Sequence, residues 1–305
     1  MSGLACWIVE ALIGSALLMA LVLLVRGPVR RAFGPQIAYA LWSLPLLRLI
    51  LPPLPSAWRT AATPIGRAGE TITILVTAPT NVPRAAMPPD LFASPAGLLS
   101  LVWAIGVVAF LACHLLAHAR FCRRILAAAV SVGVEDGIHV VTSAAAPGPL
   151  AFGVWRRYVA FPADVAARYD AGERALALAH ELGHHRRGDL LANWAGLAVL
   201  ALHWFNPVAW IAFRAFRADQ ELANDARVLA GRSPAERHAY ARAIVKATQG
   251  GTSRLGSTCH LHTITDLKGR LKMLSLSPAS RRRLASGAAA VGALAVAGLG
   301  LTASG

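Results

Sequence analysis

The sequence is poor in charge, and above all in acidic charge. Only 15% of its 305 residues are charged, and 15 Asp and Glu stand against 30 Lys and Arg, so the net charge is +15. Soluble domains carry about 25% charged residues, so this composition argues against a typical cytosolic protein. Hydrophobic residues make up 56% of the chain, which excludes intrinsic disorder. The basic surplus indicates nucleic acid or an anionic membrane as a neighbour, and the hydrophobicity favours the membrane.

Cysteine is also scarce, and several functional motifs are missing from the sequence. The four cysteines lie far apart and form no CxxC pair, so neither a disulfide scaffold nor a thiolate zinc finger is supported. The sequence shows no phosphate-binding loop, dinucleotide fingerprint or DNA-binding helix-turn-helix. Nucleic acid is therefore not expected as a direct ligand.

Four apolar stretches predict membrane-spanning helices, at residues 4–25, 35–53, 96–117 and 284–303. A helix of about 20 apolar residues crosses the ~30 Å hydrocarbon core of a bilayer. The alternative for the first stretch is a cleaved signal peptide. In such a peptide the basic residues precede the apolar run, whereas here they follow it.

Clusters of arginine predict how these helices are oriented. They close the first and third stretches and precede the fourth, so alternating spans bring all three clusters to one side, which should be cytoplasmic. Residues 266–274 predict a basic amphipathic helix at the membrane surface before the last span. We expect the chain to begin with two spans and a short cytoplasmic loop at residues 1–53, followed by an extracytoplasmic loop at 54–95 and a third span at 96–117. A cytoplasmic domain at 118–283 then precedes the last span and the C-terminus at 284–305.

The cytoplasmic segment contains His180, Glu181 and His184 in the pattern HExxH, among strong helix formers. Positions four apart lie nearly on one face of a helix, so the two imidazoles can meet one zinc ion. Glu181 would then lie beside the metal, where it can take a proton from zinc-bound water. His185 points to another face, and we expect it at the surface.

A third ligand is needed, because so short a pattern also recurs by chance. About forty residues later, Glu221 and Asp225 have the spacing ExxxD and share one helical face. Glu221 could complete a site of two histidines and one glutamate with a position left open for water. Asp225 could accept the second ring N–H of a ligating histidine and fix its tautomer. The alternative interpretation of this second helix is a charged surface in water.

The apolar segment between the two motifs predicts a helical hairpin rather than another span. A crossing would place His180 and Glu221 on opposite sides of the membrane, whereas one zinc ion needs both at ~2 Å. The chain must therefore turn back, and Asn206–Pro207 is the obvious place. We expect a hydrophobic hairpin over residues 190–217, packed in the peptidase core or dipping into the inner leaflet.

Residues 137–162 predict two strands joined by a turn, because β-branched and aromatic runs flank Pro147, Gly148 and Pro149. A strand beside a metal centre commonly pairs with an extended substrate through backbone groups. A strand that only covers the active-site helix is an equally good interpretation.

Three segments in this order, HELGHHRRGDLLANW, HWFNPVAW and RADQELANDARVL, resemble the BlaR/MecR family of integral-membrane zinc metallopeptidases. The likeness covers most of residues 1–285. It implies an α-helical membrane protein with four transmembrane helices and an inserted, mainly helical α+β gluzincin-like zinc peptidase domain. It also implies Zn²⁺ as the cofactor and a role for each residue of the two motifs: His180, His184 and Glu221 as metal ligands, Glu181 as general base, and Asp225 as support behind the ligands.

The sequence departs from the family pattern in two places. Residues 224–226 are Asn-Asp-Ala where the family more often has Cys-Asp-Glu, although the aspartate is kept. The β-lactam sensors of the family carry a large outward penicillin-binding domain after the fourth span, whereas this sequence ends at Gly305. We therefore do not expect β-lactam sensing through such a domain.

The resemblance implies a zinc-dependent endopeptidase of the bacterial cytoplasmic membrane, multi-pass, with its active site facing the cytoplasm. It would act in antibiotic-response-like signal transduction by cleaving itself or a transcriptional repressor. The expected partners are this protein substrate, membrane lipid and a second copy of the chain in a homodimer. The alternatives are a membrane quality-control or prenyl-protein type peptidase, and a non-catalytic membrane signalling scaffold. The intact Glu181 argues against the scaffold, because a structural zinc site needs no base.

Overall fold

The computed structural model describes residues 3–51, 95–249, 267, 269–272 and 280–302 of the chain. The helices are α1 (Gly3–Phe33), α2 (Pro35–Ala40), α3 (Ser43–Ile50), α4 (Pro95–Ala127), α5 (Val165–Arg168), α6 (Ala171–Arg186), α7 (Asp189–Leu202), α8 (Pro207–Val228), α9 (Pro234–Gln249) and α10 (Arg281–Thr302). The strands are β1 (Ala129–Glu135), β2 (Ile138–Ser143), β3 (Leu150–Phe152) and β4 (Tyr158–Pro162). The predicted extracytoplasmic loop lies, up to residue 94, outside the described residues. The fold is mainly helical with one small sheet, as expected.

Two of the described helices are long and apolar enough to cross a membrane. They are α1 from Trp7 to Phe33 and α4 from Pro95 to Ala127, and they correspond to the first and third predicted spans. Large apolar side chains of helix α4 are exposed; Leu99, for example, is 72% exposed and Val108 66%. A surface of this kind is found where a protein meets lipid or a partner rather than water.

The second predicted span is not one helix, because α2 and α3 are separated at Leu41 and Trp42. Pro45 explains the break: it has no N–H to bond the carbonyl of Leu41 four residues earlier. That carbonyl instead accepts from the N–H of Leu44 at 3.1 Å. The fourth stretch is helical, as α10, but only α1 and α4 among the described helices meet the criteria for a span. Four transmembrane helices are therefore not confirmed.

The arginine-rich ends of α1 and α10 lie side by side. The Arg283 guanidinium donates to the carbonyl of Ala32 at 2.9 Å and to that of Arg31 at 2.8 Å. The end of the first apolar helix therefore meets the beginning of the last one, so the basic clusters of these two helices share one end of the helical layer.

The sheet has the order β1-β2-β4-β3, in which β2 and β4 are parallel and the two outer pairs are antiparallel. The sequence predicted two strands in residues 137–162, whereas the structure has three there and β1 before them. The face of β2 and β4 packs on α6, where Ile138, Val159 and Phe161 contact Leu182. The sheet thus backs the helix that carries the HExxH pattern.

Helix α6 begins at a capping box. The Asp170 side chain accepts from the N–H of Glu173, and the Glu173 carboxylate accepts from the N–H of Asp170. The carboxylate of Glu173 also accepts from Arg242 and Lys246, which ties α6 to α9. Burial opposes the charged form, but these donors outweigh it and lower the pKa of Glu173 to about 2.

The predicted hydrophobic hairpin is formed by α7 and α8, which turn back at the predicted place. The Asn206 side chain accepts from the N–H of Val208 at 2.9 Å, and Pro207 occupies the first turn of α8. At the hairpin's tip, a ring nitrogen of His203 lies 3.1 Å from the carbonyl of Leu12 in α1.

The hairpin lies along the first apolar helix. Near its open end, Arg26 of α1 donates to the carbonyl of Ala215 in α8 at 2.8 Å. Between Arg26 and the tip contact at Leu12, the hairpin follows α1 for 14 residues, which is about 21 Å at about 1.5 Å per residue. One continuous core joins α1, α2, α3 and the hairpin. The hairpin therefore packs against a candidate membrane span rather than inside a separate domain.

Candidate metal centre

Helices α6 and α8 bring three side chains of the two sequence motifs together. Nε2 of His180 lies 3.1 Å from Nε2 of His184. The Glu221 carboxylate lies between them, with Oε2 3.3 Å from the first nitrogen and Oε1 3.6 Å from the second. A tetrahedral zinc ion with bonds of about 2.1 Å separates its ligand atoms by about 3.4 Å. Among the described residues, this cluster is the group that could hold a metal ion, and its spacing and donor types fit zinc.

The Glu221 carboxylate is held in its ionised form. Burial alone would raise the pKa of Glu221, but the charges of His184, His180 and Arg270 hold it well below its usual range. Arg270 approaches within 3.4 Å of the carboxylate. An ionised carboxylate is the form that binds a metal.

His180 is held by a relay of buried groups. Its Nδ1 lies 2.6 Å from the hydroxyl of Tyr240, which donates to Oδ1 of Asp225 at 2.7 Å. Asp225 is 3.3 Å from the same Nδ1, so it supports His180 mainly through the tyrosine. Because the tyrosine proton points to the carboxylate, the ring donates from Nδ1 and leaves Nε2 free for a metal.

Arg270 closes this relay from behind. It donates to both oxygens of Asp225, at 2.8 and 2.7 Å, and is itself only 8% exposed. Burial would raise the pKa of Asp225, but Arg270 and His180 lower it well below its usual range. The basic segment expected at the membrane surface thus contributes one buried charge to the metal centre. Without a metal, burial would lower the pKa of His180, but Asp225 and Glu221 raise it to about 9.

His184 is held from a different direction. Its Nδ1 lies 2.8 Å from Oδ2 of Asp189, a buried carboxylate at the start of α7. The other oxygen of Asp189 accepts from the hydroxyl of Tyr39 in α2 at 3.2 Å. Gln220 donates to the Tyr39 hydroxyl at 3.0 Å and to the Asp189 carbonyl at 3.3 Å. The second histidine is therefore connected to the helices next to the candidate spans.

Glu221 is anchored to α1 through its own helix. Two residues before it, Asp219 is fully buried and accepts from Arg26 at 2.8 Å and from Arg30 at 3.2 Å. The indole N–H of Trp42 donates to the same carboxylate at 2.9 Å. The metal centre consequently lies at the arginine-rich end of α1.

Glu181 and His185 differ from the ligands in their surroundings. The Glu181 side chain is half-buried, and no hydrogen bond or ion pair engages its carboxylate within the described part of the chain. His185 was expected at the surface, but it is buried, and its Nε2 lies 2.9 Å from the carbonyl of Tyr158 in β4. The expectation was wrong because the sheet covers that face of α6. Burial lowers the pKa of His185, and because a carbonyl only accepts, Nε2 carries the proton of this hydrogen bond.

Asn224 holds the two motif helices in contact. Its side chain donates to the carbonyl of His180 at 2.8 Å. Its oxygen lies against Gly183, where a Cβ would collide with it. The helices approach this closely because residue 183 has no side chain. The asparagine that departs from the family pattern thus has a packing role.

The sequence motifs identify the clustered residues but not most of what surrounds them. Tyr240, Arg270, Asp189 and Tyr39 were not singled out from the sequence. Their only sequence signal is that Asp189 follows His184 within a few residues, while the others lie 30 or more residues from the histidine they support.

Comparison with known proteins agrees with this arrangement. The family described as BlaR1 peptidase M56 matches residues 7–274, which include every residue of the centre. The curated protein "Regulatory protein BlaR1" of Bacillus licheniformis is 32% identical over 100 residues. That alignment covers 33% of this chain and 16% of the relative, so the chain matches only a small part of the relative's length. Because the family match extends over most of the sequence, the chain belongs to the BlaR1 family of M56 metallopeptidases.

Proposed function

We propose that this protein is a zinc-dependent endopeptidase of the bacterial cytoplasmic membrane that cleaves a regulatory protein at the cytoplasmic face. The observation that carries the proposal is the cluster of His180, His184 and Glu221, whose donor atoms have the separations of a tetrahedral zinc site. Membership of a metallopeptidase family supports the peptidase activity.

The three clustered side chains would hold the zinc ion and leave one position open to water and substrate. Zinc supplies a polarised water molecule and stabilises charge on the substrate carbonyl. Glu181, next to His180 and without another partner in the described structure, would take the proton of the attacking water and pass it to the leaving amine. Tyr240 and Asp189 would hold both imidazoles with Nε2 towards the metal.

The cytoplasmic orientation is supported by the position of the basic residues. Arg26 and Arg30 bind Asp219 close to Glu221, and Arg283 of α10 lies at the same end of α1. Basic residues at the ends of membrane helices favour the cytoplasmic side. A multi-pass protein oriented in this way presents its metal centre to the cytoplasm.

The substrate we propose is a transcriptional repressor or the chain itself, cleaved in an antibiotic-response pathway. The name of the relative, a regulatory protein, supports this choice. The Arg-rich start of α10 lies at the same end of α1 as the centre and is the site of self-cleavage that we propose to test.

The test uses the full chain purified in detergent, with bound zinc measured by elemental analysis. Glu181→Gln should retain one zinc per chain and lose cleavage of itself and of a co-expressed repressor. Glu135→Gln, an exposed glutamate on β1, is the matched control and should cleave normally. Cleavage by Glu181→Gln at the wild-type rate would overturn the mechanism. Wild-type protein that binds zinc and cleaves neither substrate would support the signalling scaffold instead.

A further inference from the structure

A half-open cavity of about 240 Å³ lies between helices α1, α2 and α3 on one side and the hairpin of α7 and α8 on the other. Its wall is almost entirely apolar and includes Met19, Trp42, Leu46, Gly196, Val199 and Phe216. Water finds few hydrogen-bond partners in such a space, whereas a hydrocarbon chain finds a matching surface.

The cavity extends away from the basic end of α1. Met19 lies seven residues before Arg26, which places it about 10 Å further along the helix at about 1.5 Å per residue. On α7, the wall runs from Ala192 to Leu200, eight residues or about 12 Å. If α1 crosses the bilayer with Arg26 at its inner surface, this wall lies at the depth of the lipid acyl chains.

The outer surface around the cavity is also apolar. Ile50 at the end of α3 is 65% exposed, Leu191 on α7 60%, and Ile211 on α8 54%. Exposed aliphatic side chains on three neighbouring helices form a surface suited to hydrocarbon. Lipid around these helices would therefore meet an apolar surface at residues next in sequence to the cavity wall on α7 and α8.

Positive charge lies beside one residue of the cavity wall. The ring of Tyr39 forms part of the wall, and the guanidinium of Arg187 lies 5.0 Å from the centre of that ring. Arg187 pairs with Asp189 through Nε at 3.5 Å, and Arg26 and Arg30 lie at the end of α1 from which the cavity extends. Clustered basic residues at the inner membrane surface attract anionic lipid head groups.

We propose that the cavity binds one acyl chain of an anionic membrane phospholipid, and that Tyr39 transmits its presence to the zinc ligand His184. The lipid's anionic head lies near Arg187 and the basic end of α1, and its chain packs along α7 against Tyr39. The hydroxyl of Tyr39 donates to Asp189, whose other oxygen holds Nδ1 of His184. A filled cavity keeps the tyrosine in this position, so lipid tightens zinc binding. This second step rests on the proposed metal site, whereas lipid binding does not.

Lipid binding is tested on metal-free full chain in nanodiscs that contain phosphatidylglycerol with a photoreactive acyl chain. Wild-type protein should be labelled on peptides of α7 and α8. Ala195→Leu places a larger side chain in the cavity wall and should reduce this labelling at least fivefold. Ala198→Leu, an exposed position on the same helix outside the wall, is the matched control and should be labelled like wild type.

Ser43→Leu provides a second way to narrow the cavity, at an exposed position of its wall where misfolding is not expected. It too should reduce labelling, provided that the protein elutes as wild type does. Equal labelling of Ala195→Leu, Ser43→Leu and Ala198→Leu would overturn the lipid site.

Coupling is tested by zinc affinity, measured by competition with a chelator in phosphatidylglycerol nanodiscs and in a short-chain detergent. Wild-type protein should bind zinc about tenfold more tightly in the lipid nanodiscs than in the detergent. Loss of a hydrogen-bond partner of a metal ligand changes metal affinity by a similar factor. Tyr39→Phe should still be labelled by the lipid probe but lose the difference. Equal wild-type affinities in both media would overturn the coupling. Lack of zinc binding in both media, with labelling intact, would count against the metal site of the proposed function.

Discussion

The two histidines of the HExxH pattern lie one turn apart on the same helix but are supported by different parts of the molecule. His180 is held by Tyr240 of α9 within the peptidase region. His184 is held by Asp189, which accepts from Tyr39 of α2 beside the candidate spans. One ligand therefore depends on packing inside the peptidase region, and the other on how that region meets the membrane helices. Of the two histidines, His184 is therefore the one whose support reaches the helices beside the candidate spans.

The largest expected effect concerns the His180 side. Asp225→Ala removes the carboxylate that accepts two hydrogen bonds from buried Arg270 and leaves the arginine its longer contact with Glu221; breaking a buried ion pair in this way costs about 3–5 kcal/mol. The free energy of unfolding of the detergent-solubilised protein should fall by that amount. Asp164→Ala removes an exposed pair with Arg168 and is the control, with an expected loss below about 1 kcal/mol. A loss in Asp225→Ala no larger than in the control would contradict the described relay.

The next effect concerns the His184 side. Asp189→Asn replaces the acceptor of the His184 N–H with a neutral amide, and zinc affinity should weaken by about 10- to 100-fold. Competition with a zinc chelator measures the change. The loss of unfolding free energy should be smaller than for Asp225→Ala, because Asp189 has no buried bidentate arginine partner. Unchanged zinc affinity would show that His184 does not need this support.

A matched pair of tyrosine variants compares the two sides directly. Tyr240→Phe interrupts the relay next to His180, whereas Tyr39→Phe removes a hydroxyl one step further from His184. Each loses about 1 kcal/mol of hydrogen bonding, but the first should weaken zinc binding more. Tyr240→Phe should keep the lipid-dependent difference in zinc affinity, whereas Tyr39→Phe should lose it. A lipid response that persists in Tyr39→Phe and vanishes in Tyr240→Phe would show that lipid acts through His180 rather than His184.

The last effect appears on acidification and belongs to the His180 side. Glu173 ties α6 to α9, and its pKa falls from 4.5 to about 2 in the folded protein. Its contribution to stability is therefore fully present above pH 4.5 and disappears as the pH falls towards 2. Thermal unfolding between pH 6 and 3 should show a smaller acid loss in Glu173→Gln than in wild type. Parallel curves for the two proteins would contradict this assignment.

The clustered residues could be predicted from the sequence because helical periodicity alone brings HExxH and ExxxD side chains onto single faces. The turn at Asn206–Pro207 followed from the need to bring Glu221 back to His180. Proline chemistry explains why residues 35–53 do not form one continuous helix: the chain breaks between α2 and α3, one turn before Pro45.

The supports of the site could not be predicted, because they depend on contacts between distant elements. Tyr240 meets His180 across 60 positions of sequence, and Tyr39 meets Asp189 across 150. His185 was placed at the surface because the sequence pattern does not show that a sheet covers α6. Periodicity identifies which residues share a face, but tertiary packing decides what that face contacts.

Zinc X-ray absorption spectroscopy of the purified protein identifies the atoms that hold the metal, so it is the decisive measurement for the proposed site of two histidines and one glutamate. The spectrum should show two imidazole nitrogens and oxygen ligands at about 2.0–2.2 Å, and no sulfur. His184→Ala should lose one imidazole. A sulfur ligand, or the same spectrum in wild type and His184→Ala, would contradict this set of ligands.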